Sequence, residues 1–333
     1  MSRLSHSLLI ESARVESLRW FKQRQLLYII VSLIGVVFLT QVVALVFVGS
    51  LGFIIGVERM VAVASDTSTA TSEELTLFLI AAFLPFFLVG WIWVGFFERR
   101  SFSSNGLIAA RPFLAYGRGL LIGLGMLLAV ILIMSAMGYV VIEQPWNQLA
   151  IASALLVSLG WIVQGAAEEF LIRGFLMQII GRRYGIIAAI TVSSVIFAVA
   201  HGANSNITFL SIVNLTLYGV LMALYALWEG NLWGVFAIHS VWNWAQGNLF
   251  GFEVSGNQLR SGIVLDLGES GPDWLTGGPF GLEGGMITSV VLLATIAILL
   301  AVVLREGDSD QPQADQDAED SEDNGLVNQI DEE

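Results

Sequence analysis

The chain contains no cysteine, which removes disulfides, thiolate nucleophiles and thiolate metal ligands from consideration. That absence carries no information on compartment. Charge is scarce as well: 13% of the 333 residues are charged against 56% hydrophobic, with a mean hydropathy of +0.75. A chain of this composition cannot cover a soluble globule with polar surface, so it reads as a polytopic membrane protein. Histidine is rare, and the chain holds no H-E-x-x-H pair, which excludes the helix that binds zinc through two imidazoles one turn apart. There is no nucleotide-binding glycine fingerprint, no internal repeat and no soluble second domain, and no nucleic acid is expected as a partner.

The acids that are present are unevenly spread. Of the net charge of −13, residues 306–333 contribute 12 acids and no Lys or Arg, leaving −1 for everything before them. Segment 306–333 is expected to be a disordered, solvated acidic tail. Residues 1–25 form a basic N-terminal segment, and 26–305 form the transmembrane helical domain. Apolar stretches near the 20-residue spanning length fall at about 26–50, 75–97, 119–142, 149–176, 185–201, 207–227, 232–250 and 286–304. The expected fold is therefore all-α, with about eight transmembrane helices and a buried polar site. The first stretch is too long for a signal-peptide core and reads as an uncleaved span.

The basic residues set the orientation. Twelve of the 15 Lys and Arg lie in alternate flanks, before span one, after span two, after span four and after span eight; Arg59 and Arg260 lie opposite. The positive-inside bias then puts both termini in the cytoplasm, which an even span count requires, and the expected location is the plasma membrane. The glycine-rich stretch 251–285 would lie outside and reads as a flexible loop, with a re-entrant lid as the alternative.

What is present inside the apolar stretches is unusual. Residues 161–176, WIVQGAAEEFLIRGFL, place Glu168, Glu169 and Arg173 in a span, where each charge costs roughly 2.5–3.5 kcal/mol by insertion scales. Glu169 and Arg173 are one helical turn apart and can form a neutralising pair. Glu168 points about 100° away, without a local cation, as a general base requires. Phe197 and His201, and likewise His239 and Asn243, are four residues apart and share helix faces. Counted at ~1.5 Å per residue from the cytoplasmic ends, Glu168, His201 and Asn243 lie roughly 17–23 Å deep on three helices. Gln164 and Asn214 read as interhelical hydrogen-bonding residues, and Trp161, Trp242 and Trp244 as packing or interfacial residues.

The pattern E-E-x-x-x-R, F-x-x-x-H, H-x-x-x-N is met by Glu168-Glu169…Arg173, Phe197…His201 and His239…Asn243, within EEFLIRGFL, SSVIFAVAHG and GNLWGVFAIHSVWNW. It resembles the CPBP family, the membrane-embedded CAAX prenyl-protein endopeptidases and their bacteriocin-processing relatives. The core of the resemblance is 149–250. It implies an intramembrane endopeptidase in which Glu168 activates water with His201 assisting, while His239 and Asn243 stabilise the oxyanion. Glu169, Arg173 and Phe197 are then structural and orienting. The implied partners are a membrane-associated peptide or protein substrate and the lipid bilayer, and oligomeric state is not readable.

No cofactor is expected, because His201 and His239 come from different helices and each is one turn from a Phe or an Asn rather than from a second histidine. A zinc site using the two histidines and a glutamate is the alternative, since that equals the protein-ligand count of a catalytic zinc centre. Two other functions stay open: a catalytically silent immunity-type binder or scaffold, and a transporter relaying protons through Glu168. The last predicts inverted repeats or interrupted helices.

Overall fold

The structure, a computed structural model, describes residues 25–99, 101–107 and 111–306. The basic leader up to residue 24 and the acidic tail after 306 lie outside the described residues.

Nine helices longer than two turns are described, and most begin or stop for a local chemical reason. Helix α1 (Gln25–Ile55) carries no charged residue and gives way at Gly56, whose φ of 97° leads into α2 (Val57–Ser65). Helix α3 (Ser72–Ile92) opens on a capping box in which Thr71 and Glu74 exchange side-chain-to-backbone hydrogen bonds. It continues through a wide π-helical turn at Trp93–Phe97. Helix α4 (Pro112–Ala136) starts with proline in its first turn, where no N–H partner is needed. It ends at Gly138, φ 76°.

Helix α5 (Ile151–Glu169), a π turn (Phe170–Leu176) and α6 (Met177–Ala200) follow one another, and α6 is broken into two helices at Gly185, whose φ of 82° only glycine adopts easily. Helix α7 (Phe209–Glu229) has a Thr208 capping box and stops at Gly230. Helix α8 (Trp233–Trp244) closes in a π turn at Ala245–Leu249, and α9 runs Met286–Glu306.

Six described helical runs are long and apolar enough to cross a membrane. Helices α1, α3, α4 and α9 leave large apolar side chains such as Phe53, Phe96, Leu121 and Ile298 exposed, whereas α8 is buried almost throughout. Apolar surface facing outward suits lipid rather than water. The chain is an all-α, multi-pass membrane protein. Six runs qualify, so the expected count of eight is not confirmed: 149–176 and 185–201 fall in one run that breaks at Gly185 into two helices, which bring Glu168 and His201 within 3.9 Å. The segment 232–250 becomes the short, buried α8.

Two boundaries differ from the sequence expectation. The third span ends at residue 136, not 142, because Gly138 breaks the helix and Val140–Gln144 (β1) pairs antiparallel with Asp266–Glu269 (β2). The stretch 251–285 is not a plain flexible loop. It folds into a cap whose Val264 and Leu265 N–H groups bond the end of the α8 run at Asn248 and Leu249, with Phe280 and Leu282 fully buried.

The polar centre is positioned by α8, which sits between α4 and α5, while α6 packs on α7 and α3 along α5. Close approach of α5 and α8 depends on Gly165: a Cβ there would lie 2.8 Å from Ser240 Oγ and 2.9 Å from its backbone N. Two indole N–H groups then lock the pair, Trp161 Nε1 donating to Asn248 Oδ1 and Trp244 Nε1 to Ala154 O, each at 2.8 Å.

Candidate active site

Glu168 and Glu169 close α5 where the π turn begins, a distortion that recurs at functional sites because it re-aims side chains within a helix. Arg173, inside that turn, donates through Nη1 to Glu169 Oε1 at 2.9 Å and through Nη2 to Gly219 O on α7 at 3.1 Å. Its guanidinium lies 4.7 Å from the Phe197 ring centre. Both partners of this ion pair are fully buried. The one-turn spacing of Glu169 and Arg173 thus forms the neutralising pair that it suggested.

Glu169 does more than balance Arg173. Its Oε1 also lies 3.0 Å from His239 Nδ1 on α8, so the carboxylate accepts the imidazole proton and turns Nε2 into the cavity. His201, at the end of α6, is oriented the same way by a different acceptor. Its Nδ1 is 2.9 Å from Phe197 O, and a carbonyl oxygen can only accept, so Nδ1 carries the proton. Phe197 carries both rings: its centroid is 4.7 Å from that of His201 and 6.1 Å, edge-on, from that of His239.

The two Nε2 atoms converge on one oxygen. Each is 3.9 Å from Glu168 Oε2, which is buried and makes no hydrogen bond. The other oxygen, Oε1, accepts from Gln164 Nε2 at 2.7 Å, and Gln164 Oε1 accepts from Asn243 Nδ2 at 2.9 Å. Glu168, His201, His239 and Asn243 therefore meet in one place, from α5, α6 and α8. The 3.9 Å separations exceed a direct hydrogen bond. They match the span across a water bonded at ~2.8 Å to both groups at roughly a right angle.

The four side chains line a cavity of about 660 Å³. One arm is apolar, with Val37, Phe78, Phe83 and Phe86 from α1 and α3; the other is polar, with Asn204, Ser255, Asn257 and Glu283 beneath the cap. Burial pushes the Glu283 carboxyl, outside the spanning helices, above the ordinary carboxylate range.

Three lining residues go beyond the sequence expectation. Gln164, expected as an interhelical hydrogen-bonding residue, joins the catalytic candidates Glu168 and Asn243; its place four residues before Glu168 is the available signal. Tyr218 on α7 edges the His239 ring at 5.7 Å and keeps a buried hydroxyl without a hydrogen-bond partner. Glu283 lies far from any motif, in a segment expected to be flexible, and nothing in the local pattern marks it. Asn214 keeps its reading as a hydrogen-bonding residue: Nδ2 donates to Glu283 O and Gly285 O, both at 2.8 Å.

Residues 150–245 match the family model described as Type II CAAX prenyl endopeptidase Rce1-like. The match runs from α5 to the first residue of the π turn after α8, the stretch that carries all four convergent side chains, and agrees with the resemblance in the motifs. No curated protein and no solved structure matches the chain significantly.

Proposed function

We propose that the Rce1-like domain of residues 150–245 makes this chain an intramembrane endopeptidase acting on a membrane-associated peptide or protein. The observation that carries the reading is Glu168 Oε2, buried, without a hydrogen bond and faced by two imidazole Nε2 atoms at 3.9 Å each.

Water held between Glu168 and His201 gives a proton to Glu168 Oε2 as its oxygen attacks the scissile carbonyl carbon. Asn243 Nδ2 donates its second N–H to the oxyanion that forms, and His239 Nε2 donates to it when the ring carries a proton on both nitrogens, Nδ1–H staying on Glu169 Oε1. In a water-poor cavity such preoriented donors stabilise developing charge far better than in bulk solvent. Glu168 then returns the proton to the leaving amine nitrogen as the C–N bond breaks. Glu169, Arg173 and Phe197 position the imidazoles, and Gln164 holds the Glu168 carboxylate in line with Asn243.

The reaction in this reading needs no metal. Basic flanks support both termini on the cytoplasmic side of the plasma membrane, with the cap outside.

The test compares membrane-proteome termini between cells with the wild-type protein and cells with Glu168→Gln, which keeps size and polarity but removes the base. New termini should appear only with the wild type. The same termini in both would refute catalysis by Glu168 and favour the silent binder.

A further inference from the structure

Glu283 is a buried carboxylate that the hydrolytic steps do not use. It is 8% exposed and sits in the turn that joins the cap to α9. Its Oε2 accepts from Gln246 Nε2 at 2.5 Å and its Oε1 from Ser255 Oγ at 3.3 Å. Gln246 lies one turn beyond Asn243 on the α8 run, and the Glu283 backbone is held by Asn214. The carboxylate is thus fixed in the wall of the cavity that contains Glu168.

Its partners are all neutral: besides these two side chains, the backbone N–H groups of Ser255 and of Glu283 itself reach the carboxyl. Among the described residues no Lys or Arg forms an ion pair with it, and none lines the cavity. A buried carboxylate without a counter-charge is costly, and neutral donors offset only part of that cost.

The surroundings carry the same sign. A second cleft, of about 740 Å³, adjoins the cavity across Leu259 and contains Glu143, Glu253, Asp266, Glu269 and Asp273, with Arg260 as its one basic lining residue. Clefts lined by one sign of charge concentrate ligands of the other. A free C-terminal carboxylate, such as ends a C-a-a-X sequence, would meet a carboxylate here and no cation.

Resting on the endopeptidase reading, we propose that Glu283 forms a subsite for a cationic side chain, Lys or Arg, on the cap-facing part of an internal substrate segment. The bound ammonium or guanidinium replaces the missing counter-charge and places its neighbouring peptide bond toward Glu168. The Glu283 subsite then selects by charge, while the arm beneath α1 and α3 holds apolar side chains.

The probe is an apolar membrane-inserting peptide with one central Lys, Arg, norleucine or Glu, added to full-length Glu168→Gln protein in lipid nanodiscs. Binding is thereby read without turnover. Lys and Arg peptides should bind about tenfold to a hundredfold tighter than norleucine, with Glu weakest, the worth of a charge-assisted hydrogen bond. Adding Glu283→Gln should level the series. Equal binding of Lys and norleucine peptides to the Glu283-containing protein overturns the proposal, and that arm holds even if the Glu283→Gln variant melts early. A preference that survives in a folded Glu283→Gln variant overturns it as well. Cleavage by wild type but not by Glu168→Gln, without charge preference, sinks only the subsite; a charge preference without Glu168-dependent cleavage sinks only the endopeptidase.

Discussion

Replacing Arg173 by Met removes a guanidinium that is fully buried, bonded to Glu169 Oε1 at 2.9 Å and Gly219 O at 3.1 Å, and stacked 4.7 Å from Phe197. The variant leaves Glu169 as a buried carboxylate with His239 Nδ1, at 3.0 Å, as its remaining donor. Breaking a buried pair from one side costs ~3–5 kcal/mol; the retained imidazole bond puts this variant toward the lower end, about 3 kcal/mol. Glu169→Gln should cost a similar amount, because it strands the guanidinium. The double variant Glu169→Gln/Arg173→Met carries no stranded charge, and Met can fill the space against Phe197. It should recover about 2 kcal/mol relative to the summed single effects. The ten tryptophans make intrinsic fluorescence a suitable reporter of unfolding in mixed micelles, whereas thiol dyes have no cysteine to label. Single costs below about 1 kcal/mol, or strictly additive singles, would refute the view that this pair is a closed electrostatic unit.

Three further outcomes follow from the same geometry. Gln164→Leu removes both bonds linking Glu168 to Asn243, and kcat should fall about tenfold or more with the fold retained; an unchanged kcat in a kinetic assay makes Gln164 a bystander. Glu253, Asp266, Glu269 and Glu283 all have carboxyls raised by burial first, the cleft members also by neighbouring carboxylates. A raised folded-state value favours the protonated cap, so stability is fullest below the ordinary carboxylate range near about pH 4 and is lost as pH climbs through the raised values. Melting of the wild type should therefore shift upward on acidification from neutrality toward that range, and Glu269→Gln or Glu283→Gln should flatten the profile; a wild-type profile no steeper than theirs would contradict it. Cleavage by purified protein should survive strong chelation; loss with rescue by zinc would recast Glu168, His201 and His239 as ligands.

The local half of the site was legible because helical spacing is a covalent fact. Four residues separate Glu169 from Arg173, Phe197 from His201 and His239 from Asn243, and each interval puts its pair on one helix face in any fold that keeps the helices. The same rule could have promoted Gln164, four residues before Glu168, from packing to the site. What spacing cannot supply is the lateral partner. Nothing in residues 233–244 says that His239 Nδ1 turns to Glu169 rather than to a backbone carbonyl, as His201 does.

The cap was illegible for a related reason. Its glycines suggested flexibility, yet several are there because other backbone comes close: a Cβ on Gly281 would lie 2.0 Å from Glu253 O. Likewise the third span stops at residue 136 because β1 finds a partner in β2, more than a hundred residues away.

The amino-acid order alone determined the solvent and the inventory. Apolar runs committed the chain to lipid, and the cost of charge in that medium singles out Glu168, Glu169 and Arg173 as candidates for a role beyond packing. Tertiary structure decided how that inventory is wired. It made Glu169 the acceptor for His239 as well as for Arg173, left Glu168 Oε2 bare between two imidazoles, and set Glu283 in the wall of the same cavity. Periodicity fixes which way a side chain leaves its own helix. Only the packing of α5, α6, α7 and α8 against one another, and of the cap upon them, settles what it meets.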